Sequence, residues 1–202
     1  NSADSPTAEI TVFAAASLQK TFTQLGQQFE AANPGTAVVF NFGGSSDLVA
    51  QLQQGAPGDL FASADAATMD KAVDDALITG EPTVFATNSM EIAVPPGNPA
   101  GIDSFAALAD PDVNVVVCAP QVPCGAATQT IEENTGVMLS PVSEENSVTD
   151  VLGKVTSGEA DAGIVYVTDV KGAGDAVEGI EIPTAVNATN RYPIGVLAGS
   201  GS

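Results

Sequence analysis

Two serines each stand where a short apolar segment meets small residues and a periodic segment begins. Ser17 follows the run VFAAA, and Ser45 follows the run FNFGG. The apolar positions that begin after Ser17 have the spacing of one helix face: Leu18, Phe22, Leu25 and Phe29. At both places the pattern predicts a strand, a tight turn, a serine N-cap and a helix. Free N–H groups and the helix dipole attract negative charge at such a terminus, so the predicted chemistry is anion binding.

Neither serine segment carries the lysine of a phosphate-binding Walker loop or the spacing of a dinucleotide fingerprint. The donors would therefore be uncharged N–H and O–H groups. Hydrogen bonds to a charged group contribute roughly 1.5–3 kcal/mol each, and a dissociation constant of about 1 μM needs about 8 kcal/mol, so roughly five to seven donors would be enough. A site with donors alone favours a fully ionised oxyanion, because a protonated oxygen would find no acceptor. The alternative is an ordinary strand-to-helix junction with a serine cap.

The composition excludes several classes of function. The chain has 202 residues, with 25 Asp and Glu against 5 Lys and Arg, and a formal net charge of −20. Such a chain is not expected to bind nucleic acid. Histidine is absent, which excludes a Ser-His-Asp triad and a His-ligated zinc ion. We expect the carboxylates to lie on outer faces, away from the serines.

Two cysteines, Cys118 and Cys124, flank a segment with two prolines. The spacing is not Cys-x-x-Cys, and two thiols without histidine make a poor metal site. The residues leave open a disulfide in an exported protein or two buried thiols in a reducing compartment. The low lysine count and the polar start of the chain favour export, and no hydrophobic run is long enough to span a bilayer.

The remaining segments alternate between strand and helix patterns. Strands are predicted at 9–15, 37–42, 59–62, 83–87, 91–94, 113–117, 161–166, 180–182 and 192–197. Helices are predicted at 17–33, at about 48–54, and at 66–77, 104–109, 126–134 and 149–157. This order predicts an α/β fold with mostly parallel sheets.

The proline- and glycine-rich segment 95–99 divides the pattern into two similar parts. We predict a flexible leader at 1–8, a first lobe at 9–94 and a second lobe at 95–182, with strands from about 183–202 returning to the first lobe. Two α/β lobes joined by a crossover hinge, with a ligand cleft between them, suit capture of a small ligand.

Four segments resemble the periplasmic molybdate-binding proteins of ABC importers, a type II periplasmic-binding-protein family. They are residues 10–18 (ITVFAAASL), 42–48 (FGGSSDL), 54–65 (QGAPGDLFASAD) and 162–166 (AGIVY). The resemblance extends from residue 10 to about residue 170. It implies a molybdate or tungstate ligand, no cofactor, no catalytic residue and no cation site. It also implies a monomer outside the cytoplasm that delivers its ligand to a transporter permease. The resemblance leaves open a free periplasmic protein or one held at the cell surface by a lipid anchor on a removed upstream cysteine.

Carried over position by position, the resemblance implies five ligand residues: Ser17, Ser45, Cys124, Val148 and Tyr166. The serines and Tyr166 would supply hydroxyls, and Cys124 and Val148 would supply backbone N–H groups. Cys124 departs from the small residue that is frequent in the family, and a disulfide to Cys118 would stiffen its turn. The family also continues beyond Tyr192 into a further C-terminal helix.

Three alternatives remain from the sequence. The first is a receptor for another oxyanion such as sulfate. The second is a hydrolase with Ser17 or Ser45 as nucleophile, which the absence of histidine and of a nucleophile elbow disfavours. The third is a structural or adhesive module in which the two serine turns have no ligand.

Overall fold

A computed structural model describes residues 8–201, and the chain forms two compact units. Unit 1 contains the chain up to Ala86 together with the segment from Tyr192 onward, and unit 2 contains Thr87–Arg191. The predicted leader at 1–8 lies outside the described residues except for Ala8, which is the first residue of strand β1 and not part of a leader.

The strands and helices follow the predicted α/β alternation. The nine strands of residues 8–201 are β1 (Ala8–Ala15), β2 (Thr36–Gly43), β3 (Leu60–Ala62), β4 (Ile78–Val94), β5 (Val115–Cys118), β6 (Ser143–Glu145), β7 (Ala162–Tyr166), β8 (Glu178–Glu181) and β9 (Thr189–Leu197). The α-helices of the same range are α1 (Gln19–Ala32), α2 (Ser45–Gln53), α3 (Ala66–Asp74), α4 (Pro123–Thr135), α5 (Val148–Thr156) and α6 (Val167–Ala173). Short 3₁₀ turns occupy Ala16–Leu18, Ala106–Ala109 and Gly174–Ala176.

Unit 1 is built on a sheet with the strand order β2-β1-β3-β9. Strand β1 is parallel to both β2 and β3, and β9 is antiparallel to β3. The core of unit 1 contains Phe13, Leu48, Leu52, Phe61 and Met69, which are all at most 5% exposed. Burial of these side chains supplies the main stabilisation of the unit, because fully burying a large apolar side chain contributes about 1.5–3 kcal/mol.

Unit 2 repeats this plan with the strand order β4-β7-β5-β6, and β8 pairs with β4. Strand β5 is parallel to β6 and β7, whereas β4 is antiparallel to β7 and β8. Ile92, Val116, Ile131 and Ile164 are buried in its core. In both units the parallel strands are neighbours, so their carboxyl ends lie at one edge of the sheet and can carry a ligand site.

The chain passes between the units within strands β4 and β9, not at the proline-rich segment. Residues 83–87 and 91–94, predicted as two strands, belong to the single strand β4. The boundaries between the two units lie between Ala86 and Thr87 and between Arg191 and Tyr192. The predicted boundaries lie after residues 94 and 182.

Helix α1 packs differently from its prediction. Leu18 is buried, but Leu25 is 51% exposed and Phe29 is 44% exposed. The helix contacts the sheet through Gly26, where an added Cβ would lie 2.7 Å from the ring of Phe40. The close approach at glycine thus decides which side of α1 meets the sheet, and part of the predicted apolar face lies at the surface.

Helices α3 and α4 also depart from the predicted ranges. Helix α3 ends at Asp74, before the predicted end at residue 77, and α4 begins at Pro123, before the predicted start at residue 126. None of the helices in the described range is long and apolar enough to cross a membrane.

Candidate functional site

Ser17 lies in the 3₁₀ turn Ala16–Leu18, between β1 and α1. The prediction that it caps the helix is wrong: the N-cap of α1 is Leu18, and neither helical segment has a side-chain cap bond. The Ser17 Oγ instead lies 2.9 Å from the Tyr192 Oη. A hydrogen bond to a tyrosine of β9 replaces the local cap bond, and it holds the serine hydroxyl at the carboxyl end of β1.

Ser45 is the first residue of α2, and Gly44 is the N-cap. The predicted serine cap is therefore wrong here as well. The Ser45 Oγ accepts a hydrogen bond of 3.0 Å from the backbone N–H of Ala64, and the side chain is 2% exposed. Because a hydroxyl that accepts one bond still carries its own hydrogen, Ser45 can donate to a ligand while it ties α2 to the end of β3.

The two serine segments are neighbours in the sheet of unit 1. Ala15 and Gly43 are register partners at the carboxyl ends of the parallel strands β1 and β2. Of the described residues in this unit, no Asp or Glu side chain is buried. Asp47 is in the first turn of α2, and its side chain is exposed. The local donors are serine hydroxyls and backbone N–H groups, which are neutral. The burial of Ser45 shields its hydroxyl from water.

Cys124 is the second residue of α4 and is 4% exposed. The residue before it, Pro123, has no N–H group, so the Cys124 N–H is the first backbone donor of the helix. Cys118 and Cys124 form a disulfide with a Cα–Cα distance of 5.6 Å. Of the two states that the sequence left open, a disulfide or two buried thiols, the structure has the disulfide. The disulfide joins the end of β5 to the first turn of α4.

Gly125 lets the first turn of α4 lie against the loop that precedes it. A Cβ at this position would lie 1.9 Å from the backbone oxygen of Ala119 and 2.7 Å from that of Cys118. Only glycine fits this contact, because real Cβ atoms essentially never approach another heavy atom so closely. The disulfide and the glycine thus fix the position of the Cys124 N–H together.

Val148 is the first residue of α5, and its side chain is 3% exposed. The N-cap is Ser147, whose side chain accepts a hydrogen bond of 3.3 Å from the N–H of Asp150. N–H groups at the start of a helix have no partner within the helix, so the Val148 N–H is a candidate ligand donor while its side chain packs in the core.

Lys154 and Glu145 form an ion pair that joins α5 to β6, and the pKa of Glu145 is lowered by its hydrogen bonds to Lys154 and Ser143.

Tyr166 ends strand β7 and is 1% exposed. Its Oη accepts a hydrogen bond of 2.9 Å from the Nδ2 of Asn190, and its backbone N–H donates one of 3.0 Å to the Asp169 carboxylate. Burial raises the pKa of Asp169 to about 7, against the opposing effect of the Tyr166 N–H.

Each of the five predicted residues lies at or shortly after the carboxyl end of a strand. In unit 2, Cys124 follows β5, Val148 follows β6 and Tyr166 ends β7, and these three strands are neighbours. In unit 1, Ser17 and Ser45 follow β1 and β2. The structure therefore brings each set of donors to the carboxyl ends of parallel strands.

The sequence did not single out four residues that hold the donors in place: Tyr192, Asn190, Ser147 and Ala64. Of these, Ser147 had a local signal, because a serine before an apolar helical pattern is a typical N-cap. The other three act through contacts with distant parts of the chain. Among residues 8–201 there is no group of three or more His, Cys, Asp or Glu that could hold a metal ion.

The chain is similar to known proteins along most of its length. The family model for bacterial extracellular solute-binding proteins matches residues 10–202. The molybdate-binding protein ModA of Mycobacterium tuberculosis H37Rv is 56% identical over 188 residues, which are 93% of this chain and 72% of that protein. The ModA protein of Escherichia coli K12 is 32% identical, over 95% of this chain and 78% of that protein.

A solved structure has the same fold. The periplasmic molybdate-binding protein of Azotobacter vinelandii superposes with a TM-score of 0.83 at 23% identity, over 96% of this chain and 87% of that one. This match confirms the predicted α/β fold. With a family model matched along nearly the whole described chain and relatives at 56% and 32% identity, the chain belongs to the bacterial extracellular solute-binding proteins.

Proposed function

We propose that this protein binds molybdate outside the cytoplasm and delivers it to the permease of an ABC importer. The observation that carries the proposal is the set of neutral donors at the carboxyl ends of parallel strands. It comprises Ser17, Ser45, Cys124, Val148 and Tyr166, on a chain 56% identical to a protein named for molybdate binding.

Three hydroxyls and at least two backbone N–H groups match the needs of a tetrahedral dianion. Each hydrogen bond to a charged oxygen contributes roughly 1.5–3 kcal/mol, so these five donors alone would supply about 8–15 kcal/mol before the costs of association. The donors need no neutralising lysine, because the energy comes from hydroxyl and N–H dipoles that each unit orients within its own fold. Tungstate, a tetrahedral dianion like molybdate, would be bound by the same donors.

The same donors explain how the protein would reject other oxyanions. A phosphate that retains a proton presents an O–H group, and a shell made of donors leaves that group without an acceptor. Sulfate carries no proton, so it must be distinguished from molybdate by its size. We propose that the protein acts as a monomeric carrier, with no cofactor and no catalytic residue.

Thermal unfolding and calorimetric titration with molybdate, tungstate, sulfate and phosphate test the proposal. At about 100 times the dissociation constant, a ligand stabilises the folded protein by roughly 2.7 kcal/mol, or about 5–10 °C for a chain of this size. We expect this shift with molybdate and tungstate and a smaller one or none with the other two anions. A folded protein whose melting temperature no oxyanion changes would overturn the proposal.

A matched pair of variants connects the binding to the site. Ser17→Ala removes a proposed ligand hydroxyl, and we expect a more than tenfold weaker affinity for molybdate. Thr23→Ala removes a hydroxyl that is exposed on α1 and donates only to the Gln19 carbonyl within the helix. Its affinity should equal that of the unmodified protein, and an equal loss in both variants would mean that the Ser17 effect is not local.

A further inference from the structure

Asn190 of β9 joins two of the proposed ligand groups of unit 2 through a single amide. Its Nδ2 donates to the Tyr166 Oη at 2.9 Å and to the Pro123 carbonyl oxygen at 3.3 Å. We propose that Asn190 is a positioning residue that orients both the Tyr166 hydroxyl and the Cys124 N–H for the ligand. This inference rests on the proposed oxyanion-binding function.

The two partners determine which end of the amide faces them. A backbone carbonyl can only accept hydrogen bonds, so the group opposite Pro123 must be the NH₂ of Asn190. An NH₂ group has two hydrogens, one for each acceptor. The phenol oxygen of Tyr166 is therefore the acceptor in its bond to Asn190, and its own hydrogen is directed elsewhere.

This polarity suits an anion site. A tyrosine that donated its hydrogen to a neighbouring side chain could not donate the same hydrogen to an oxyanion. Because Asn190 supplies the donor, the phenol is kept as a donor toward the ligand, and a phenol oxygen that accepts one bond becomes a stronger donor in the next. Tyr166 is 1% exposed, so the bond lies in a region from which water is largely excluded.

The contact with Pro123 acts on the second ligand group. The Pro123 carbonyl and the Cys124 N–H belong to one peptide unit, which is planar. A hydrogen bond that holds the carbonyl oxygen therefore also holds the direction of the N–H. The disulfide anchors Cys124 by its side chain, and Asn190 sets the rotation of the peptide plane before it.

The test compares two substitutions of Asn190 by calorimetric titration with molybdate. Asn190→Ala removes both bonds, and we expect about a tenfold weaker affinity, as for the loss of one to two neutral hydrogen bonds. Asn190→Asp keeps the shape but replaces the NH₂ by an acceptor that captures the phenol hydrogen and repels the carbonyl oxygen. Its affinity should fall further than that of the alanine variant.

Asn187 provides the matched control in the same unit. Its amide bonds the backbone of Met90 in both directions, at 3.1 Å and 2.8 Å, and neither Met90 nor Asn187 is a proposed ligand residue. Asn187→Ala should lower the melting temperature but retain the affinity for molybdate. Equal losses of affinity in the Asn187 and Asn190 variants would show a merely structural effect and overturn the inference.

A double-mutant cycle and tyrosine absorbance test the mechanism. In a Tyr166→Phe background, Asn190→Ala should cost much less affinity than in the unmodified protein, since the phenol is already gone. The chain has two tyrosines and no tryptophan, so Asn190→Ala should also change the near-ultraviolet tyrosine spectrum, whereas Asn187→Ala should not. An undiminished loss in the Tyr166→Phe background would contradict the inference.

The outcomes separate this inference from the function on which it rests. If the unmodified protein binds no oxyanion, the proposed function fails. If it binds molybdate and Asn190→Ala binds it equally well, the function stands and the positioning role of Asn190 is overturned.

Discussion

The side-chain oxygens of Ser17 and Tyr192 lie 2.9 Å apart, although 175 positions separate the two residues. The ring of Tyr192 is 2% exposed and meets the ring of Phe85 edge-on, with centroids 6.4 Å apart. The packed ring therefore fixes the position of the tyrosine hydroxyl. Either hydroxyl can donate in this bond, but a serine that gives its one hydrogen to an oxyanion must accept from Tyr192.

Tyr192→Phe tests this relationship. The change keeps the ring and its packing and removes the hydroxyl that bonds Ser17, so we expect a two- to tenfold weaker affinity for molybdate, about the effect of one neutral hydrogen bond. Calorimetric titration measures the affinity, and the melting temperature without ligand checks the fold. If the variant melts normally and binds with unchanged affinity, Tyr192 does not support Ser17.

Replacing the two serines by alanine should give different results because only one of them has a buried backbone partner. Ser45→Ala leaves the Ala64 N–H without its acceptor in a buried place, so we expect a loss of about 1–3 kcal/mol in unfolding free energy as well as weaker binding. Ser17→Ala removes a half-buried hydroxyl whose partner is another hydroxyl, so mainly the affinity should fall.

Urea denaturation without ligand and titration with molybdate separate the two quantities for each serine. Equal losses of stability in both variants would contradict the structural role assigned to the Ser45 Oγ. An unchanged affinity in the Ser45 variant, measured under conditions where it is folded, would remove Ser45 from the proposed ligand residues.

Most of the strand and helix order could be predicted from the sequence because it depends on local patterns. The small residues before Ser17 and Ser45 and the apolar run that ends at Tyr166 each mark a strand that ends at a turn. The prediction divides strand β4 into 83–87 and 91–94, and the gap between them contains Asn88 and Ser89, which are typical turn residues. In the structure the Asn88 amide donates to Thr168 at 2.7 Å, and this distant partner lets the strand continue.

The supporting residues of the site could not be predicted in the same way. Asn190 acts on Tyr166 from 24 positions away, and Tyr192 meets Ser17 from the opposite end of the chain. Such contacts leave no periodic pattern near either residue. The serine caps were wrong for the same reason, because both hydroxyls bond to distant groups and not to their own helices.

Asp169→Asn should change how stability depends on pH. The pKa of Asp169 in the folded protein is raised to about 7, so its stabilising contribution is complete below the unfolded pKa of about 4 and is lost as the pH rises through about 7. The unmodified protein should therefore lose stability relative to the variant between about pH 4 and pH 8. Asparagine retains an oxygen that can accept the Tyr166 N–H and cannot ionise.

Urea denaturation across that pH range measures the difference. Asp70→Asn, at an exposed position of α3, is the control because it removes the same formal charge. If both variants show the same pH dependence, the effect comes from net charge and not from the burial of Asp169.

Removing the disulfide should lower stability and affinity together. The cross-link spans six positions. A loop this short lowers the entropy of the unfolded chain enough to stabilise the folded protein by about 2 kcal/mol. Cys118→Ala combined with Cys124→Ala should therefore lower the unfolding free energy by about this amount and weaken molybdate binding through the first turn of α4. Reductant should produce the same loss in the unmodified protein and none in the double variant. A double variant of unchanged affinity would show that the disulfide does not position the Cys124 N–H.

Two glycine substitutions in unit 2 should have opposite effects on stability. At Gly125 a Cβ would lie 1.9 Å from a backbone oxygen, so Gly125→Ala must displace the first turn of α4. At Gly153, inside α5, no atom lies within 4 Å of the added Cβ, and alanine is favoured over glycine in a helix by about 0.8–1.0 kcal/mol. We expect Gly153→Ala to raise the melting temperature slightly and to leave molybdate affinity unchanged.

Gly125→Ala should lower the melting temperature by several degrees and reduce the affinity for molybdate more than tenfold, because the displaced turn carries the Cys124 N–H. Titration well below the melting temperature of the variant separates loss of binding from loss of fold. A folded Gly125→Ala protein with full affinity would show that the first turn of α4 does not contribute to ligand binding.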